Sequence, residues 1–167
     1  GESVSKASEC FFDDMFSSSA SGSIDLNLYD VGTLYTKNFN GSKKIKNFSA
    51  EDGLYTIEKE AFKDSSVKNV LLPYTLETIG EGAFEGSKVK DVFGIDNVTN
   101  IEKATFKDCA NLTDLSSIEL AHSIGEQAFY GCTNFEFDGT LSEITYLGKY
   151  AFAISGVKAI ELGEGLD

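Results

Sequence analysis

Phenylalanine returns along this chain at a nearly fixed interval. Phe16, Phe39, Phe62, Phe84, Phe106, Phe129 and Phe152 are separated by 23, 23, 22, 22, 23 and 23 residues. Four of them follow alanine, as Ala61-Phe62, Ala83-Phe84, Ala128-Phe129 and Ala151-Phe152, and Thr105-Phe106 is a degenerate fifth copy. Other positions keep step. Five residues before the phenylalanine stands Leu34, Ile57, Ile79, Ile101, Ile124 or Leu147. Three residues earlier again stands Val31, Leu54, Leu76, Val98, Ala121 or Ile144. Three residues after it comes a small side chain: Ser19, Ser42, Ser65, Ser87, Cys109, Cys132 or Ser155. A period of this length is the signature of a stacked repeat array.

Beyond the small residue the pattern turns strand-like. Val67-x-x-Val70-x-Leu72 and Val157-x-x-Ile160-x-Leu162 show it in full. Val89-x-x-Val92, Leu112-x-x-Leu115 and Ile45-x-x-Phe48 show its first half. Aliphatic and β-branched residues at alternate positions suit a short buried strand. The Gly-x-x-Ala-Phe stretch predicts a short helical turn on the opposite side, with alanine allowing close approach and phenylalanine plugging the core. One such repeat cannot bury its own apolar row, but stacked copies bury a continuous core between them. Seven turns, with strands ~4.8 Å apart, make a slab on the order of 30 Å along its axis. Residues 1–15 lack the repeat but carry Phe11, Phe12 and Met15, which predicts a cap over 1–15 and a solenoid over 16–167, in one domain.

Composition changes the picture mainly by exclusion. The chain carries 27 acidic residues against 14 basic ones, and every basic residue is lysine. Nucleic-acid binding needs clustered cations and leans on the guanidinium fork, so the balance argues against it. No run approaches the ~20 apolar residues of a membrane span, and no basic amphipathic helix is visible. The chain begins at Gly1 without a basic, apolar leader and reads as a processed or trimmed product. Cys10, Cys109 and Cys132 form no CxxC pair, which leaves no metal or cofactor site to expect. Cys109 and Cys132 occupy one repeat position a turn apart, so a disulfide is open to them. Serine fills that slot elsewhere, which favours buried free thiols. His122 is the lone histidine and reads as plain surface. No nucleophile elbow, phosphate loop or calcium loop is present, so no catalytic residue is assigned and the chain is not expected to be an enzyme.

The strings Ile79-Gly-Glu-Gly-Ala-Phe-Glu-Gly-Ser87 and Ile124-Gly-Glu-Gln-Ala-Phe-Tyr-Gly-Cys132 resemble the signature of BspA-like leucine-rich repeats, as does Leu71-Leu72-Pro73 followed by Leu76 and Ile79. The resemblance runs from about residue 30 to the C-terminus and is weaker over 10–30. It implies an α/β fold: a right-handed leucine-rich repeat solenoid, parallel sheet on one face and short helical turns on the other. It also implies bacterial proteins, extracellular or at the cell surface, that act as adhesin-like binding modules for host extracellular matrix or other cell-surface proteins. Three features depart from the family pattern. Pro73 is the only proline, Asp138 stands where the preceding repeat has Leu115, and no ordinary asparagine ladder is visible. Phe135 and Phe137 are expected to shift that strand's register or refill its core. The four Asn-x-Ser/Thr triplets, from Asn40, Asn47, Asn97 and Asn111, are discounted as glycan sites because the family is chiefly bacterial.

Function should sit where side chains do not serve the core. Alternation places Asn47, Ser49, Asn69, Leu71, Asp91, Phe93, Asp114, Ser116, Ala159 and Glu161 on the outward side of the strands. Leu71 and Phe93 would be neighbours across turns, an apolar spot flanked by Asp91 and Asp114, with Asn69 and Ser116 beside it. Phe93 has an inward alternative, because the Val92–Ile95 spacing departs from that of its neighbours. The expected ligand is a protein meeting this face. The other expectation is a spacer or assembly unit that self-associates end to end through its solenoid ends.

Overall fold

The computed structural model describes residues 23–166. Among them, strands follow one another as β1 (Ile24–Leu28), β2 (Thr33–Leu34), β3 (Ile45–Ala50), β4 (Thr56–Ile57), β5 (Asn69–Leu71), β6 (Thr78–Ile79) and β7 (Asp91–Phe93). They continue as β8 (Asn100–Ile101), β9 (Asp114–Leu115), β10 (Ser123–Ile124), β11 (Asp138–Leu141), β12 (Tyr146–Leu147) and β13 (Ala159–Leu162). Every pairing is parallel and joins a strand to the one a full turn away. The main sheet runs β1-β3-β5-β7-β9, and β2-β4-β6, β8-β10-β12 and β11-β13 form smaller ladders. The result is a parallel-sheet solenoid of about six turns. The expected turn around Phe16 and the cap over residues 1–15 lie outside the described residues.

Phe39, Phe62, Phe84, Phe106, Phe129 and Phe152 form one column through the core. Consecutive rings stand 5.0, 5.1, 5.4, 5.5 and 5.2 Å apart, the first pair tilted by 28° and the other four by no more than 13°. That spacing is slightly larger than the ~4.8 Å between paired strands, so each turn brings its ring into contact with the next. The aliphatic columns predicted by the repeat are also buried, from Leu34 through Ile57, Ile79 and Ile101 to Ile124.

The expected helical turns, and with them the α/β class, are not what forms. Among the described residues the helical content is one 3₁₀ turn, Ile118–Leu120. The backbone instead enters the left-handed region two residues before and two residues after each phenylalanine. The pairs are Lys37/Gly41, Glu60/Asp64, Gly82/Gly86, Ala104/Asp108, Gln127/Gly131 and Tyr150/Ile154. A helix cannot propagate through such reversals. They divide the amide hydrogens into two sets. Gly82, Phe84 and Gly86 donate to Lys103, Thr105 and Lys107 of the next turn at 3.0, 2.9 and 2.8 Å. Ala83, Glu85 and Ser87 close local three-residue turns at 3.1, 3.0 and 3.0 Å. A helix would spend both sets within itself and leave neighbouring turns unjoined.

Close approach explains the glycine that follows the aliphatic row. A Cβ at Gly125 would stand 2.6 Å from the Lys103 backbone nitrogen and 2.7 Å from the Glu102 carbonyl carbon, inside van der Waals contact. The small-residue column is buried as well. Cys109 and Cys132 are free thiols whose Sγ atoms reach the Phe84 and Phe106 carbonyl oxygens, each at 2.9 Å. Burial pushes the Cys109 thiol up to about 12, and it raises Cys132 too.

The departures after Phe129 resolve into a break in the main sheet. Phe135 refills the core, 2% exposed and 5.0 Å from the Phe129 ring. Phe137 packs against Gly139, where a Cβ would come within 2.9 Å of its ring. β11 starts at the exposed Asp138 and pairs with β13 rather than β9.

Candidate functional site: the strand face

The main sheet buries Phe48, Val70, Val92 and Leu115 on its inner side. Its outer side carries two registered rows. Asp25, Asn47, Asn69, Asp91 and Asp114 are successive strand partners in the first row. Asn47 Nδ2 donates to Asp25 Oδ1 and Asn69 Nδ2 donates to Asn47 Oδ1, both at 2.6 Å. The amides therefore tie consecutive turns together on the outside. Asp91 accepts from Thr113 Oγ1 at 2.9 Å and pairs with Lys90 at 3.1 Å.

The second row is Asn27, Ser49, Leu71 and Phe93. Ser49 donates to Asn27 at its polar end. Leu71 and Phe93 are direct strand partners, 56% and 43% exposed, so the outward reading of Phe93 is the one that forms. Ile95 takes the core position instead, at 1% exposure. The chain turns between them at Gly94, φ 87°, where a side chain would strike the Leu72 carbonyl oxygen. Ser116 continues beyond Phe93, its Oγ accepting from the Gly94 amide at 3.3 Å. Of the ten outward positions read from the sequence, Asn47, Ser49, Asn69, Leu71, Asp91, Phe93, Asp114 and Ser116 lie on this face, with the apolar pair beside the row of Asn69, Asp91 and Asp114. Ala159 and Glu161 lie instead on β13, which pairs with β11 outside the main sheet.

Tyr74, 72% exposed at the corner that follows Pro73, escaped the strand-alternation argument because it lies past the end of β5. Its carbonyl accepts from Asn97 Nδ2 at 2.7 Å, which holds the corner to the next turn. The proline before it was the one available signal. His122 is exposed, and its carbonyl accepts from the Thr145 and Tyr146 amides at 2.8 and 3.3 Å, a role any residue could fill. Among the described residues no group of three or more His, Cys, Asp or Glu side chains is gathered as a metal site would require.

Two solved structures share this architecture. A leucine-rich repeat protein from Eubacterium ventriosum superposes with a TM-score of 0.57 at 20% identity, covering 81% of this chain and 44% of that one. The pneumococcal vaccine antigen PcpA superposes with a TM-score of 0.50 at 23% identity, covering 83% of this chain and 30% of that one. The chain therefore spans less than half the length of either. Comparison with curated proteins gives no match. The BspA type leucine rich repeat region matches residues 32–158 in six copies, and the chain belongs to that family.

Proposed function

We propose that this chain is a non-enzymatic, protein-binding module of a bacterial cell surface, and that it meets its partner through the outward face of the main sheet. The exposed pair Leu71 and Phe93 carries the reading. Two large apolar side chains side by side on a rigid sheet provide an anchor for a partner's apolar group. The carboxylates of Asp91 and Asp114 alongside would favour a partner with basic residues at the rim of the contact. The parallel sheet also holds the face in place before binding, which lowers the ordering cost of association. The extracellular location is supported by family membership and by the likeness to a vaccine antigen, a class of protein that antibodies must reach. An adhesin-like role toward extracellular matrix or cell-surface proteins is the form of this reading that the resemblance to BspA-like repeats suggests.

The test is capture of purified extracellular matrix proteins by immobilised chain, wild type beside the Leu71→Glu/Phe93→Glu double variant. Binding by the wild type and at least about tenfold weaker binding by the variant is the expected result. Equal binding by both would mean the contact lies elsewhere. No binding by either would favour a spacer role.

A further inference from the structure

The side of the solenoid opposite the main sheet carries residues of different chemistry. An open cleft of about 460 Å³ spans three successive turns there, lined by Lys107, Gln127, Tyr130, Tyr150, Ala153 and Ile154. Its volume falls within the range of small-molecule sites. No carboxylate lines it, although the chain as a whole has a net charge of −13.

Two independent features set it apart from the rest of that surface. The first is backbone strain. Ile154 holds φ of 57°, a region that a β-branched side chain enters only under strain, whereas the other turns fill that position with Gly41, Asp64, Gly86, Asp108 and Gly131. Tyr150 and Ile154 are also 54% and 63% exposed, so burial does not explain their size. Strain of this kind gathers at binding sites, where the side chain's role outside the core is what keeps it. The second feature is the lysines. Lys37, Lys59, Lys63 and Lys103 each pair with a glutamate. Lys107 and Lys149 meet tyrosine rings instead, at 5.9 Å from the Tyr130 centroid and 4.8 Å from the Tyr150 centroid.

We propose that this cleft binds a carboxylated sugar residue of a glycan. The tyrosine rings with Ala153 and Ile154 offer apolar walls to the C–H face of a pyranose. Gln127 offers both a donor and an acceptor for its hydroxyls. Lys107 supplies the charge that complements its carboxylate, and Lys149, 4.8 Å from the Tyr150 ring centroid, adds to the positive charge nearby. The site shares no residue with the strand face, so the two readings stand or fall separately.

The experiment is calorimetric titration of the 167-residue chain with three probes: sialyllactose, a glucuronate-bearing hyaluronan oligosaccharide, and lactose as the neutral control. The expected result is that at least one acidic sugar binds about tenfold more tightly than lactose. The arm that binds identifies the source of the carboxylate. Lys107→Gln should bring that affinity down to the lactose level. Tyr150→Gly should abolish it while leaving the melting temperature equal or higher, because glycine relieves the left-handed strain. A wall that served only folding would lower the melting temperature when removed. Equal binding of acidic and neutral sugars would overturn the proposal. So would no saturable binding up to about 10 mM, or binding that survives both substitutions. Binding of a glutamate-rich peptide in place of either acidic sugar would overturn it too, in favour of a protein contact.

Discussion

The strand face and the turn face are built from the outward residues of the same repeats, yet their backbones treat side chains very differently. On the strand face the chain is extended, a conformation open to nearly every residue, so Asn69, Leu71, Asp91 and Phe93 sit there without backbone cost. On the turn face two positions per turn are left-handed, comfortable for Gly82, Gly86 and Gly131 and costly for Ile154. An exposed apolar residue therefore carries different information on each side. Leu71 becomes informative only because Phe93 is registered beside it. Ile154 is informative by itself, since it occupies a place that its own backbone resists.

Substitutions and conditions can sharpen this contrast, and the largest effect should come from the core that both faces share. Burial raises the Cys109 thiol to about 12, from an ordinary value near 9. The unfolded chain therefore releases that proton first as pH rises. The stabilisation is intact below about pH 9 and is lost on the way to about pH 12. Chemical denaturation across that window should show the decline, and thiol reagents at neutral pH should label Cys109 and Cys132 only as fast as the chain opens. Next comes Gly125→Ala, which drives a Cβ into the Lys103 and Glu102 backbone and should cost about 3 kcal/mol in denaturant titration.

Smaller effects separate the two faces directly. Gly82→Ile installs the strain that Ile154 carries, in space where a Cβ meets only flexible glutamate side chains, and should cost about 1–2 kcal/mol. The reverse change, Ile154→Gly, should stabilise the chain by up to about 1 kcal/mol. If these two substitutions do not move stability in opposite directions, Ile154 is not held under backbone strain. Leu71→Glu/Phe93→Glu should change stability least, within about 0.5 kcal/mol, because both side chains already face water on an unstrained strand.

Much of this organisation was legible in the sequence. The phenylalanine column, the aliphatic rows and the small-residue column each came from spacing alone, because a stacked array repeats its packing demands at every turn. The outward placement of Leu71 followed from strand alternation, and that of Phe93 stayed open because Gly94 inserts a bend that spacing cannot evaluate. The turn face was the least legible part. Gly-x-x-Ala-Phe suits a helical turn as well as a run of reversals, and local composition does not say whether an amide bonds within its own turn or to the next. The left-handed positions are occupied by Lys37, Glu60, Ala104, Gln127 and Tyr150 as well as by glycines, so residue type did not mark them. Only after the backbone is known does Ile154 stand out.

If the two faces of the stack work separately, outward side chains on one can be changed without loss on the other. The most direct measurement compares three chains of matched melting temperature for capture of an extracellular matrix protein that the wild type binds: wild type, Leu71→Glu/Phe93→Glu and Tyr150→Gly. Loss of capture in the strand-face variant alone, with Tyr150→Gly binding like wild type, is the predicted result. Full capture by the strand-face variant, or equal loss in both variants, would contradict it.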